Sequence, residues 1–241
     1  MKKRNVCVLL AAALSCSLVL TACGGDTTTS TPGGGTSTPS SASTSTGASS
    51  TDTSGTASGY TFRTSESNRV VTENGTFTSD QVTEPILITS FGQSADSSML
   101  DALMKKTAAE FTFNATATAD DLANYGTIII ASGASSKGLG AAGISEEDEV
   151  ARAEAIVQAV QDSDVTVILA HLGGAARRGT LSDEFTDMAL QCADYIMVVE
   201  EGNDDGKFTD AATDAGIPIT LLYTIADATT PLEEIFGTAA Q

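Results

Sequence analysis

Six short apolar runs constrain this chain more than any other feature. They are Ile86-Leu87-Ile88, Phe111-Thr112-Phe113, Ile128-Ile129-Ile130, Val165-Thr166-Val167-Ile168-Leu169, Ile196-Met197-Val198-Val199 and Ile217-Pro218-Ile219-Thr220-Leu221-Leu222. Most are continuously apolar, as strands buried on both faces of a parallel sheet must be. Helix-like patterns separate them, over residues 97–109, 119–124, 146–162, 183–193, 208–215 and 231–236. The third is the clearest: Ser145 with Asp148 makes a capping-box-like start, and Val150, Ala153, Ile156, Val157 and Val160 share one face. This alternation predicts one α/β domain over 84–241. Its expected form is a single doubly wound, mostly parallel sheet of five to six strands, flavodoxin-like or Rossmann-like. The short second run suits an edge. Pro218 has no N–H, so the sixth run suits an edge or a strand start. The order 2-1-3-4-5-6 satisfies both and opens a switch-point crevice between the first and third strands. With no Trp and 5% aromatics, the core must be Val, Ile, Leu and Ala.

The N-terminus reads as an address. Lys2, Lys3 and Arg4 precede a mostly apolar run from Val6 to Leu20, which ends in Leu20-Thr21-Ala22-Cys23. That tetrapeptide resembles the lipobox of bacterial lipoproteins. The resemblance implies a signal peptide over 1–22, cleavage before Cys23 and acylation of its thiol, as with palmitate. The chain would then be extracytoplasmic and anchored in the bacterial membrane, with the lipid bilayer as its partner. Two or more acyl chains anchor stably, at about 0.8 kcal/mol per buried methylene. Residues 24–59 follow, of which 29 of 36 are Ser, Thr or Gly. Such a segment cannot bury enough apolar surface to offset its ordering entropy, so it reads as a disordered tether. Residues 60–83 carry Asn74-Gly75 between β-favouring flanks, which predicts a hairpin or an arm packed on the domain. Of the four cysteines only Cys192 belongs to the folded part, so no internal disulfide can form; it reads as a packing residue.

A formal charge of −19 argues against nucleic-acid binding. The basic residues are unevenly placed. Lys137, Arg177, Arg178 and Lys207 fall in or just after loops that follow strands, as does the single His, His171. In a parallel sheet those loops share one edge, where such folds bind ligands. The predicted partner is a small anionic or carboxylate-bearing molecule, since a guanidinium pairs two oxygens at once. Candidate contacts are Gly92, Gln93 and Ser94 after the first strand, and Ser135, Ser136 and Lys137 after the third. His171, Gly173, Gly174, Arg177 and Arg178 follow the fourth; Glu200 and Asn203 follow the fifth. Each has an ordinary structural counterpart: helix capping by Asp96 or Ser97, turn chemistry for the serines, and surface pairing with carboxylates for the arginines.

Three sharper motifs carry less. Gly138-Leu139-Gly140-Ala141-Ala142-Gly143 matches the dinucleotide fingerprint by letter. It stands about seven residues beyond its strand, and the next helix opens with Glu146-Glu147-Asp148-Glu149, which repels a pyrophosphate. A flexible lid over the crevice is the better reading. The acidic loop 200–206 offers hard oxygens to a divalent cation, but its spacing is no EF-hand and no metal is assigned. Flavin rests on fold analogy alone, so no cofactor is assigned. Gly92-Gln93-Ser94-Ala95-Asp96 has the placement of a nucleophile elbow but lacks its second Gly. Ser94, His171 and an acid, Asp204 or Glu200, are the catalytic candidates of a serine-hydrolase reading.

The stretches 85–96, 135–143 and 171–179 also resemble a family of uncharacterised, often exported bacterial α/β domains, over about 84–238. The resemblance implies domain limits and no activity. Three functions therefore stand: a ligand-binding surface lipoprotein, a serine-type hydrolase, and a non-catalytic envelope interaction module.

Overall fold

The computed structural model describes residues 59–239; the predicted signal, Cys23 and nearly all of the predicted tether lie outside the described residues. Seven strands form one mixed sheet: β1 (Val70–Glu73), β2 (Ile86–Phe91), β3 (Phe111–Phe113), β4 (Thr127–Ser132), β5 (Thr166–His171), β6 (Tyr195–Val199) and β7 (Ile219–Leu222), in the order β1-β7-β6-β5-β4-β2-β3. All pairings are parallel except β1 with β7. The six runs named from the sequence thus stand in the order second, first, third, fourth, fifth, sixth.

The helices are α1 (Asp96–Met104), α2 (Ser136–Ala142), α3 (Glu146–Gln161), α4 (Thr180–Leu190), α5 (Lys207–Ala215) and α6 (Thr229–Phe236). Strand side chains alternate between two apolar layers. Ile128, Ile130, Val167, Leu169 and Val198 pack with α3, α4 and α5 on one face. Ile129, Ala131, Ile168, Ala170 and Met197 pack with α1 and α6 on the other. This two-sided burial is why the runs carry no polar alternation.

Three expectations need correction. Of the two placements expected for the sixth run, the edge fails, because β1 covers its outer side with Val70 opposite Leu222, and the strand start holds. Pro218 stands just before β7, where its missing N–H costs nothing and its carbonyl accepts from Ile196 N at 3.1 Å. The Asn74-Gly75 turn, with φ of 59° and 104°, leads away from β1, which pairs with β7 and forms no hairpin. The Gly/Ala-rich lid is helix α2. Ser135 Oγ caps it by accepting from Gly138 N at 3.1 Å, and Gly143 ends it at φ 69°.

Candidate functional site

The C-terminal ends of the parallel strands carry most of the residues singled out in the sequence. They divide into two halves. At the switch point, the loop after β2 and the loop after β4 are bonded to each other. Gly133 N donates to Phe91 O at 3.0 Å and Ser135 N to Gly92 O at 2.9 Å. A Cβ on Gly92 would lie 2.7 Å from Gly133 O, and one on Gly138 would lie 1.8 Å from Gln93 O, so only glycine fits at either place. Beneath them sits a buried ion pair that no motif flagged. Glu149 Oε1 accepts from Gly92 N at 2.9 Å, Gln93 Nε2 at 3.1 Å and Arg152 Nη2 at 2.7 Å. Arg152 also donates to Ala117 O at 2.6 Å and to Ser90 O. The predicted crevice is therefore closed by its own walls.

Ser94 lies in this half. It is buried, and its Oγ accepts from Asp96 N at 3.3 Å. The left-handed residue of the turn is Gln93, at φ 55°, not the serine. Ser136 and Lys137 open α2 and are exposed.

The second half lies over β5 and β6. His171 ends β5 and is fully buried, with Nδ1 3.3 Å from Ser132 Oγ and its ring 4.8 Å from that of Phe208. Burial lowers its pKa to about 4, so the imidazole is neutral. Asp96, also fully buried, receives Arg177 Nε at 3.2 Å on Oδ1. Burial raises its pKa, and the neighbouring Arg177 only partly opposes that. Gly173 makes this pairing possible: a Cβ there would lie 2.1 Å from Arg177 Cγ and 2.6 Å from Asp96 Oδ2. Gly174 follows at φ 58°, opening a 3₁₀ turn over Gly174–Arg177.

Arg178 is committed elsewhere. It donates to Asp183 Oδ1 at 2.7 Å, Asp205 Oδ2 at 2.7 Å and Gly202 O at 2.6 Å. These bonds raise its pKa and hold Asp205 down at about 2. Lys207 pairs with Asp187 at 2.6 Å. Of the four cations expected at the edge, only Lys137 makes no ion pair among the described residues. Asp204 lies 3.9 Å from Arg178 Nη1. Ser94, His171 and Asp204 therefore have separate partners, and no hydrogen bond joins Ser94 to His171. Among the described residues no group of three or more His, Cys, Asp or Glu is placed to hold a metal.

Glu200 and Asn203 lie in a 3₁₀ turn after β6, Glu200–Asn203. Both are buried and bonded to the arm: Tyr60 OH donates to Glu200 Oε1 at 2.9 Å, and Asn203 Nδ2 donates to Tyr60 OH at 2.8 Å. Burial, then the Glu200 carboxylate, pushes the Tyr60 phenol up to about 12. Three buried side-chain atoms have no hydrogen-bond partner among the described residues: Ser90 Oγ, Asp96 Oδ2 and His171 Nε2. They belong to the C-terminal ends of β2 and β5 and to the first residue of α1. Two concavities lie elsewhere. One of about 520 Å³ adjoins Glu84, Ile86 and Glu234 where β2 begins, and one of about 640 Å³ adjoins Glu154, Asp187 and Lys207.

Sequence reasoning missed Glu149, Arg152 and Tyr60. For Glu149 a signal existed. It precedes Ala153 by four residues, so it shares the buried face of α3 that Ile156, Val157 and Val160 define.

A family model described as Domain of unknown function (DUF6305) matches residues 83–236. No curated protein and no solved structure matches the chain.

Proposed function

We propose, for a chain that belongs to the DUF6305 family of domains of unknown function, that its α/β domain binds a small anionic ligand at the C-terminal edge of the sheet. We read the sheet as doubly wound and flavodoxin-like, with Cys23 acylated and the domain held outside the cytoplasm on its Ser/Thr/Gly-rich tether. One observation carries the binding reading. Buried polar atoms are nearly always hydrogen-bonded, yet Ser90 Oγ, Asp96 Oδ2 and His171 Nε2 make no well-formed hydrogen bond, with only main-chain groups of Gly173 acting on the Asp96 carboxylate and of Gly174 and Ser132 on the His171 ring, and all three atoms lie at the edge where such folds take ligands. A neutral imidazole and a hydroxyl can each donate or accept, and the carboxylate accepts. Arg177 is the cation beside them, one-quarter exposed at 27%, with its Nη2 not engaged by Asp96. Lys137 is the exposed amine at the neighbouring loop. Arg178 and Lys207 serve the scaffold instead.

The orphaned atoms are enclosed, so ligand entry requires the loops over them to part. The hydrolase reading has no bond between Ser94 and His171 to rest on. The test is a thermal-shift and calorimetric screen of the mature chain against small carboxylates and phosphate esters. A stabilising ligand is expected, with its effect lost in Arg177→Ala and Asp96→Asn. No response across the panel would overturn the binding reading. Metabolic labelling with an alkynyl palmitate tests the anchor: the label is expected on the wild type and absent from Cys23→Ala.

A further inference from the structure

Glu200 is a buried carboxylate, 1% exposed, and every hydrogen bond given to it comes from one extended segment outside the family-matched residues. Tyr60 OH and Arg63 N donate to Oε1, at 2.9 and 2.8 Å. Thr64 N and Thr64 Oγ1 donate to Oε2, at 2.7 and 2.5 Å. Asn203 holds the same segment from the other end of the turn, through the Tyr60 hydroxyl at 2.8 Å. A carboxylate enclosed without donors is strongly destabilising, so the domain carries an acceptor that another stretch of chain must fill.

The turn that accepts this segment is also the cover of the edge site. Gly202, between Glu200 and Asn203, stands so close to His171 that a Cβ there would lie 2.9 Å from Nε2. That nitrogen is one of the three orphaned atoms. A segment that clamps both ends of the turn therefore clamps the turn over His171.

We propose that the Glu200–Asn203 turn is a docking site for an extended, hydroxyl-bearing peptide. The chain's own residues 60–64 fill it as a strap, and release of the strap opens the way to His171. The inference rests on the edge being the ligand site, and gives that site a gate. The required chemistry is specific: two main-chain N–H groups for the two carboxylate oxygens, a phenol at one end and a hydroxyl at the other.

The single histidine makes the test direct. In the mature chain, the rate of His171 modification by diethyl pyrocarbonate reads access to the edge, and amide exchange of residues 60–65 reads docking of the strap. Two variants release the strap from opposite sides: Glu200→Gln and the double substitution Tyr60→Phe/Thr64→Val. In both, exchange at 60–65 and the rate at His171 should each rise at least tenfold, while amides of 128–130 and 167–169 stay protected. Should Glu200→Gln lose that core protection, the strap-side variant decides. Faster exchange at 60–65 with His171 still at the wild-type rate overturns the gate. Unchanged exchange in the strap-side variant overturns the docking. Neither readout uses a ligand, so a failed ligand screen with a tenfold rise at His171 refutes the binding reading and leaves the gate standing.

Discussion

The two halves of the C-terminal edge are built on opposite terms. Around β2 and β4, the main-chain loop atoms are spoken for: Glu149 and Arg152 satisfy Gly92, Gln93, Ser90 O and Ala117 O, and the two loops bond each other, leaving only the Ser90 hydroxyl without a bond. Around β5, the histidine and the partner carboxylate of Arg177 each keep one buried atom without a bond. The first half is a lock and the second is a held-open valence. In open, mostly parallel α/β sheets, ligand chemistry is sought where the strand order reverses. Here the unfilled hydrogen bonds reach one strand further along, from Ser90 on β2 and Asp96 at the start of α1 to His171 on β5.

Four measurements break or sharpen that contrast. The largest effect is expected from Glu149→Ala, which strands a nearly buried guanidinium and undoes the lock; breaking such a pair costs about 3–5 kcal/mol. Urea unfolding checks it, and a loss under about 1 kcal/mol would mean that the lock is not held by this pair. Second comes acid. His171 is neutral when folded, with a pKa near 4 against 6.5 when unfolded, so the unfolded chain binds its proton first as pH falls. Its contribution is complete above about pH 6.5 and is lost toward pH 4, by about 3 kcal/mol. Asp96 acts in the opposite sense, since a raised pKa lets the folded state take its proton first. Stability against pH for wild type and His171→Asn separates the two: only the wild type should fall steeply between pH 6.5 and 4.

Third, Gly138→Ala should destabilise by about 1–3 kcal/mol although alanine is the better helix former, because its Cβ would overlap Gln93 O. A variant as stable as the wild type would show that the lock is loose. The smallest effects separate the two exposed-side cations. Arg177→Ala removes the only ion pair that the buried Asp96 makes among the described residues and should cost about 2 kcal/mol at neutral pH. Lys137→Ala should leave the melting temperature unchanged while weakening any ligand that needs the amine.

The strand runs were legible because two-sided burial leaves a local mark: Ile128-Ile129-Ile130 is apolar at every position, and nothing but a covered strand asks for that. Helix α3 was legible for the same reason, by its buried stripe and its Ser145 start. Helix α2 was not, because Gly138, Gly140 and Gly143 read as flexibility until Ser135 is seen capping it. The site residues divide the same way. Arg177 and Arg178 are adjacent and identical in type, yet one faces buried Asp96 and the other three aspartates, two of them exposed. No local pattern distinguishes them.

By itself, then, the sequence determined the alternating α/β plan, the parallel order of six strands and the edge at which polar loops gather. Periodicity and chain connectivity act over a few residues and survive in the one-dimensional record. Only the tertiary structure decided which polar groups are bonded. Arg177 meets Asp96 across 81 residues and Tyr60 meets Glu200 across 140. Pairing at those separations depends on where the sheet brings chain ends together, and burial then makes an unfilled hydrogen bond conspicuous.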